Sequence, residues 1–400
     1  MEMMIKSEIY ELLKDKFSEA KEEILNAIKD QRPILLKHHS DADGYCCGLA
    51  LEKAILSIIK KTKPYKNPRP YFKRSSLRTP FYDYSDCIRD ITHMHDTIER
   101  FGLKKPLVII ADTGTTMESL MALKRLRLEG YKVIVIDHHY DNNKITLKYI
   151  DTIINPHLVK EYSTNIVAGY LCSELAHLLN GDDFSFMAMI AGYGDKSDAA
   201  EMELYSAKHK DFDFTLIKKI LAVIDYESLM IKTDGYSLIN KLFDSNIKDI
   251  KEIVDMYYDD LQGKINSFVS CVEKYNKQEA QGNLILNLVE VSKINFNPVF
   301  PSNVRILSRM QDKIKDENTN KFVLSLGINE QSISVRGSHN INKDNIRFDI
   351  NEVISLLKKK FPNNIFEGGG HPLAGTIKFS NIIKDDVVKF VVDYCKNNIK

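Results

Sequence analysis

Apolar positions recur at near-helical spacing through residues 7–30, at Ile9, Leu12, Leu13, Phe17, Ala20, Ile24 and Ile28, and stop before Pro33. This spacing predicts one amphipathic helix that covers a core with its apolar stripe. The period then changes. Short apolar runs at 34–36, 107–111 and 133–136 alternate with helical patterns at about 44–59 and 116–129. Buried runs alternating with helices predict a parallel sheet in an α/β domain. A helix-rich stretch follows from 164 to about 276, broken at Gly192-Tyr193-Gly194-Asp195 and at Asp234-Gly235, with 247–276 read as one long helix leading out of the domain. After Gln281-Gly282 the alternation restarts: a strand at 283–291, a helix at 303–316, strands at 321–326 and 332–336, a helix near 352–360, a loop at 366–371, a strand at 373–379 and a last helix from 385. The expected organisation is a catalytic domain at 1–245, a helical linker at 246–280 and a smaller α/β domain at 281–400, with a cleft between the domains.

In parallel α/β sheets, ligands gather beyond the carboxyl ends of the strands. The residues that follow the three runs are His38-His39-Ser40-Asp41-Ala42-Asp43-Gly44, Asp112-Thr113-Gly114 and Asp137-His138-His139. Carboxylates and imidazoles therefore stand at every predicted strand exit. A lone Asp at such a place is usually a helix cap, and a lone His a hydrogen-bonded structural group. Recurrence at three exits, joined by Asp195, exceeds what capping requires and gives ligands enough for two divalent cations. Oxygen and imidazole donors without thiolate suit Mn²⁺, Mg²⁺ or Fe²⁺ better than structural zinc. Two such ions stabilise the attacking and leaving oxygens of an in-line displacement at phosphorus. The indicated chemistry is hydrolysis of a phosphate ester.

Composition narrows the partners. Lys and Arg number 56 against 55 Asp and Glu, so affinity for a polyanion must come from local patches. One patch is the segment 60–78, in which Lys60, Lys61, Lys63, Lys66, Arg69, Lys73, Arg74 and Arg78 interleave with Tyr65, Tyr71 and Phe72 and no acid intervenes. Pro64, Pro68 and Pro70 predict a stiffened loop, and cations with aromatic faces suit a single-stranded nucleic acid. The six cysteines lack C-x-x-C spacing and sit mostly among apolar neighbours, as reduced buried thiols do. No run approaches the ~20 apolar residues that cross a bilayer, and Glu2, Glu8 and Glu11 run through what would have to be a signal sequence. The expected location is cytoplasmic, without a membrane partner.

These motifs resemble the DHH phosphoesterases: H-S-D-A-D-G at 39–44, Asp112 after its strand, D-H-H at 137–139, G-D at 194–195 and G-G-G-H at 368–371, in family order along the chain. The resemblance implies an N-terminal DHH domain with a helix-flanked parallel sheet and a C-terminal DHH-associated domain. It implies that Asp41, Asp43, Asp112, His138 and Asp195 ligate two Mn²⁺ or Mg²⁺ ions, with Asp112 bridging and His39 a further ligand. Asp137 would orient its neighbours, and His139 would contact the phosphate or assist the leaving oxygen. Gly368, Gly369 and Gly370 have no Cβ and let backbone N–H groups approach a phosphate. His371 is then a donor at the loop exit, and Arg336 resembles the basic residue that DHH-associated domains aim at substrate. Together with Lys73 and Arg74, these are the expected substrate-binding residues. The single residue between His39 and Asp41 looks most like archaeal RecJ-type nucleases, and implies an exonuclease of single-stranded DNA or RNA with a role in DNA repair. Two alternatives share the motifs: a phosphodiesterase for short oligonucleotides (nanoRNase-type) or cyclic dinucleotides, and a replisome scaffold that partners GINS.

Overall fold

The structure, a computed structural model, describes residues 2–62, 67–113, 116–139, 144–159, 165–231, 236–293, 300–338 and 348–399, except for the side chains of residues 366, 367, 370 and 371. The chain forms two compact units, Met1–Met256 and Tyr257–Lys400.

In the first unit the stripe predicted over 7–30 is carried by two helices, α1 (Glu8–Leu12) and α2 (Lys14–Lys29), which meet at Leu13. Ile9, Leu13, Phe17, Ala20, Ile24 and Ile28 are buried, so the stripe continues across the break, but Leu12, also expected in it, is exposed. The chain then runs through β1 (Ile34–His39), α3 (Ala42–Thr62), β2 (Phe72–Leu77), α4 (Tyr84–Phe101), β3 (Leu107–Ala111), α5 (Leu120–Leu128), β4 (Lys132–Ile136) and β5 (Thr152–Ile154). All five strands are parallel, in the order β2-β1-β3-β4-β5. The order reverses at β1, and the crevice at such a switch point is where parallel sheets hold ligands.

Two strands and one helix lie outside the expected elements. The expected loop through 60–78 is corrected at 72–77: β2 pairs with β1 from Phe72 opposite Ile34 to Leu77 opposite His39. As an edge strand it carries Lys73 and Arg74 and lacks the apolar run of a central strand. Strand β5 is only three residues long. Helix α4 carries an amphipathic stripe, with Cys87, Ile91 and Met94 buried at helical spacing and the carboxylate Asp90 buried beside them; Asp90 pairs with buried Lys37 at 3.1 Å. Residues 63–66 of the basic segment and 234–235 of an expected break lie outside the described residues.

Helices α6 (Ala168–Asn180), α7 (Ser185–Gly194), α8 (Ala200–Ser206), α9 (Phe214–Met230) and α10 (Leu238–Asp244) complete the unit. Helix α3 packs against α6, α7 and the sheet and is buried continuously from Ala42 to Leu51, as a helix apolar on all sides must be.

Helix α11 (Ile247–Val272) crosses the division between the units. The second unit contains β6 (Asn276–Gln281), β7 (Leu284–Glu290), α12 (Asn303–Glu317), β8 (Phe322–Ile328), β9 (Ser332–Gly337), α13 (Ile350–Lys360), β10 (Ile365–His371), β11 (Ala374–Phe379) and α14 (Lys384–Asn398). Its sheet has the order β10-β11-β9-β8-β7-β6 around a core that includes Phe322, Leu324, Val335, Leu357, Ile377 and Phe379. The expected long helix ends earlier than 276, where β6 begins. The expected loop at 366–371 is likewise corrected: Gly368, Gly369 and Gly370 are ladder residues of β10, opposite Ile377, Thr376 and Gly375. Close packing needs the glycine at 368, where a Cβ would meet Ile354 Cδ1 at 2.9 Å, and the one at 375 on the partner strand, where it would meet the Gly369 carbonyl oxygen at 2.5 Å. Among the described residues no helix is long and apolar enough to cross a membrane.

Candidate metal centre

Strand β1 delivers two adjacent imidazoles to opposite sides of the sheet. His38 is fully buried, and its Nδ1 lies 2.7 Å from the His39 carbonyl oxygen while its Nε2 lies 3.0 Å from Arg74 Nη1. Arg74 donates at Nε2, so Nδ1 carries the proton and donates to that carbonyl. Burial and the Arg74 charge hold His38 well below the usual imidazole range. His39 turns the other way, with Nδ1 2.7 Å from Asp41 Oδ2 and 3.9 Å from Asp112 Oδ2.

The strand then turns into α3. Asp41 Oδ1 accepts from the Gly44 amide at 2.9 Å, and the turn is tight enough that a Cβ on Gly44 would sit 2.3 Å from the His39 carbonyl oxygen. Asp43, in the first turn of α3, accepts from the Ala168 and Gly169 amides at 3.1 and 2.6 Å. Those amides open α6, where unpaired N–H groups favour an anion. A Cβ on Gly169 would stand 2.5 Å from Asp43 Oδ1 and 2.3 Å from Ala191 Cβ, so a larger residue there would displace the carboxylate or α7.

Asp112 follows β3 with φ +54°, a left-handed conformation that Asp tolerates better than most residues. Asp137 follows β4, and its amide donates to the Ile154 carbonyl of β5. His138 is fully buried, with Nε2 3.4 Å from Asp112 Oδ1, 3.5 Å from Asp195 Oδ2 and 3.8 Å from Asp43 Oδ2. Asp195 is the C-cap of α7. Three ligand sets emerge, each with donor atoms within 4.8 Å of one another: His39, Asp41 and Asp112; Asp112, His138 and His139; and Asp43, His138 and Asp195.

The electrostatics of these groups fit cations. Burial, with Asp195 and Asp41 nearby, pushes Asp43 well above the carboxylate range. Burial and the surrounding carboxylates do the same to Asp112, and burial with Asp41 pushes Asp195 up to about 7. Burial opposes the ionised form of Asp41, but His39 outweighs it and draws Asp41 below its usual value. Oδ2 of Asp112 and Oδ2 of Asp137 are buried and receive no hydrogen bond among the described residues. Buried, unpaired carboxylate oxygens are costly unless neutralised or coordinated. The oxygen and imidazole set suits divalent Mn, Mg or Fe.

Asp137 and His139 form a pair at the rim, with Oδ1 to Nδ1 at 2.8 Å. Burial works against the imidazolium, but Asp137 overrides it and pushes His139 up to about 9. The same contact draws Asp137 down despite its burial. Asn155, at the exit of β5, donates from Nδ2 to the His139 carbonyl at 3.0 Å. Asn155 and the amides of Ala168 and Gly169 escape sequence reasoning. Asn155 follows a strand too short to recognise, and an amide donor has no side-chain signature.

Of the expected substrate-binding residues, two belong to the first unit. Lys73 and Arg74 stand opposite Leu35 and Leu36 in the amino-terminal half of β2, away from the strand exits. Arg74 is held by Glu52 at 2.8 Å and Asn240 at 3.3 Å, and supports the His39 backbone through His38. Arg336, Gly368, Gly369, Gly370 and His371 belong to the second unit, where the His371 side chain lies outside the described residues. Arg336 donates from Nη1 to the Val335 carbonyl at 2.7 Å and from Nε to Ser308 Oγ at 3.3 Å. It has no carboxylate partner among the described residues, and burial lowers its pKa.

Comparison with known proteins gives a consistent picture. A family profile, DHH family, N-terminal domain, matches residues 33–193. A solved structure of the DHH domain from a member of the s1p family of ribosomal proteins is 33% identical, with a TM-score of 0.93 over 100% of this chain and 94% of that one. The uncharacterized protein MJ1198 of Methanocaldococcus jannaschii is 30% identical over 98% of this chain, which spans only 55% of that relative's length. RecJ of Thermus thermophilus, solved in complex with Mn²⁺, shares the fold with a TM-score of 0.56 at 12% identity, over 96% of this chain and 55% of that one.

Proposed function

The chain belongs to the DHH superfamily, and from that premise we propose that it is a divalent-metal-dependent phosphodiesterase, a RecJ-like exonuclease that shortens single-stranded DNA or RNA from an end. The observation that carries this reading is the convergence of Asp41, Asp43, Asp112, Asp195, His39 and His138 within ligand distance, with a buried Asp112 oxygen that accepts no hydrogen bond among the described residues. In this reading those six residues hold two ions, and Asp112, which belongs to two of the ligand sets, is shared between them. Ions held there would supply Lewis-acid stabilisation of the charge that builds on the attacked phosphate. RecJ of Thermus was solved with Mn²⁺, so Mn²⁺ is the first ion to test.

The protein's own groups do the rest. His139, kept cationic by Asp137, is a donor to a phosphate oxygen or to the departing alkoxide. Asp137 fixes which ring nitrogen faces inward, and Asn155 fixes the backbone that carries the ring. In the second unit, Arg336 has a guanidinium without a carboxylate among the described residues, which suits a phosphate of the substrate. Gly369 of β10 leaves open space where a Cβ would stand, so a phosphate can approach that strand closely.

The test is a time course with Mn²⁺ or EDTA on single-stranded DNA and RNA labelled at either end, with a dinucleotide and a cyclic dinucleotide in parallel. Stepwise, EDTA-sensitive shortening from one end is the expected result and gives polarity and sugar preference together. Cleavage confined to the dinucleotides would replace the exonuclease with a short-substrate enzyme. No hydrolysis of any substrate would overturn the enzyme reading in favour of a scaffold, testable by binding to GINS.

A further inference from the structure

Within the first unit, a groove of about 1040 Å³ lies beside β2, an edge strand of its sheet, between α3, α4 and α10. It does not belong to the metal centre. The two share helix α3, with Asp43 in the first turn and Leu49, Lys53, Leu56 and Lys60 lining the groove further along. At about 1.5 Å of rise per residue, these positions lie roughly 9 to 25 Å from Asp43 along the helix axis.

Five cations and two carboxylates line the groove. Both carboxylates are engaged, Glu52 by Arg74 at 2.8 Å and Asp244 by Lys53 at 2.6 Å. Lys60 and Arg69, both exposed, make no ion pair among the described residues. Two aromatic rings stand at the groove largely in solvent, Phe101 at 49% exposure and Tyr236 at 73%. Arg100 stands over the Phe101 ring at 5.5 Å from its centroid, and the exposed ring surface that remains can accept a stacked base. A cationic channel with aromatic platforms has the chemistry of single-strand recognition, where phosphates meet Lys and Arg and bases meet ring faces. An acidic peptide would satisfy the charges and leave the rings uncovered.

We propose that this groove binds single-stranded nucleic acid at a distance from the scissile bond and so holds the body of a strand whose end is at the metal centre. The choice of polymer rests on the phosphodiesterase reading above; the charge and the aromatic platforms do not. At ~3.4 Å per stacked nucleotide, the groove begins about three nucleotides from the metal centre and ends about seven away. Dinucleotides cannot reach it.

The test is equilibrium binding in EDTA, where hydrolysis plays no part, with a fluorescein-labelled oligo(dT) or oligo(U) of roughly 15 nucleotides. Lys60→Glu/Arg69→Glu is expected to weaken binding about tenfold or more and to flatten the salt dependence by roughly 0.7 per cation removed. Phe101→Ala/Tyr236→Ala is expected to weaken it about tenfold or more at an unchanged salt slope, because stacking releases no counterions. Lys29→Glu on α2 changes net charge outside the groove and is expected to bind like the parent chain, and thermal melts identify any variant that fails to fold. Unchanged affinity and salt slope in both folded double variants would overturn the proposal. Inorganic polyphosphate of matched charge competing as well as unlabelled oligomer would overturn nucleic acid as the ligand. A chain that hydrolyses nothing yet loses binding in both pairs would sink the enzyme reading and keep the groove; active hydrolysis with binding untouched would do the reverse.

Discussion

At the scale of single residues, the candidate metal centre is a cluster of carboxylates whose mutual repulsion is relieved by protons or by bound cations. Asp112 shows this best, being buried, drawn up by its neighbours and left with one oxygen without a donor. Asp112→Asn is expected to reduce Mn²⁺-dependent hydrolysis by more than about a hundredfold. In EDTA the same variant is expected to melt a few degrees higher, because a buried repulsion is gone. Paired activity and melting measurements check both, and a variant that melts lower in EDTA would contradict the repulsion. The pH dependence has a definite sign. Asp195 keeps its proton to about pH 7 in the folded, metal-free protein but loses it near ~4 when unfolded. The folded state therefore binds more protons across that window, and stability falls as pH rises. His139, raised to about 9, contributes stability that is full below about 6.5 and lost as pH rises through 9. The metal-free melting temperature should therefore fall from about pH 5 to 9. Stabilisation by Mn²⁺ should grow towards about pH 8, as scanning fluorimetry with and without the ion would show.

At the scale of elements, the site depends on how closely α6 and α7 approach α3. Gly169→Ala places a methyl group 2.5 Å from Asp43 Oδ1. It is expected to cost about 1–3 kcal/mol of stability and about 10–100-fold in Mn²⁺ affinity, measured by denaturant unfolding and calorimetric titration. Beneath the sheet, Lys37 and Asp90 are buried together, with Tyr82 donating to Asp90 at 2.8 Å. Asp90→Ala strands the ammonium and is expected to cost about 3–5 kcal/mol, whereas Lys37→Met/Asp90→Leu should recover most of that. Urea titrations of the two variants decide it. Part of the fold was hard to read. The apolar runs of β1, β3 and β4 marked the central strands, and their exits marked the carboxylates. The outer strand β2 carries charge and β5 is short, so neither has the pattern of the element it forms, whereas α4 shows its helical stripe plainly at Cys87, Ile91, Met94 and Ile98. Within the site, side-chain ligands were legible by type and place. The amides of Ala168 and Gly169 and the amide side chain of Asn155 were not, because their roles exist only once distant segments meet.

At the scale of the whole molecule, every ligand set found among the described residues lies between His39 and Asp195, within the first unit, and the second unit has a core of its own. Calorimetric scans are therefore expected to show two transitions, of which Mn²⁺ raises one and leaves the other in place; a joint shift of both would mean that the units unfold together. The glycine run at 368–370 illustrates the limit of reading at this scale. Its composition favours a turn, and its place in a ladder is set by β11, a strand whose pairing no local pattern declares. The left-handed backbone at Asp112 reaches further, into the history of the lineage. Its carboxylate and its turn answer to separate demands, one from chemistry and one from the chain path. Descendants that abandon hydrolysis are freed from the first alone, so position 112 should drift to Asn or Gly long before it admits Val or Ile. Among divergent sequences, that single column would record when the chemistry lapsed while the fold was still being kept.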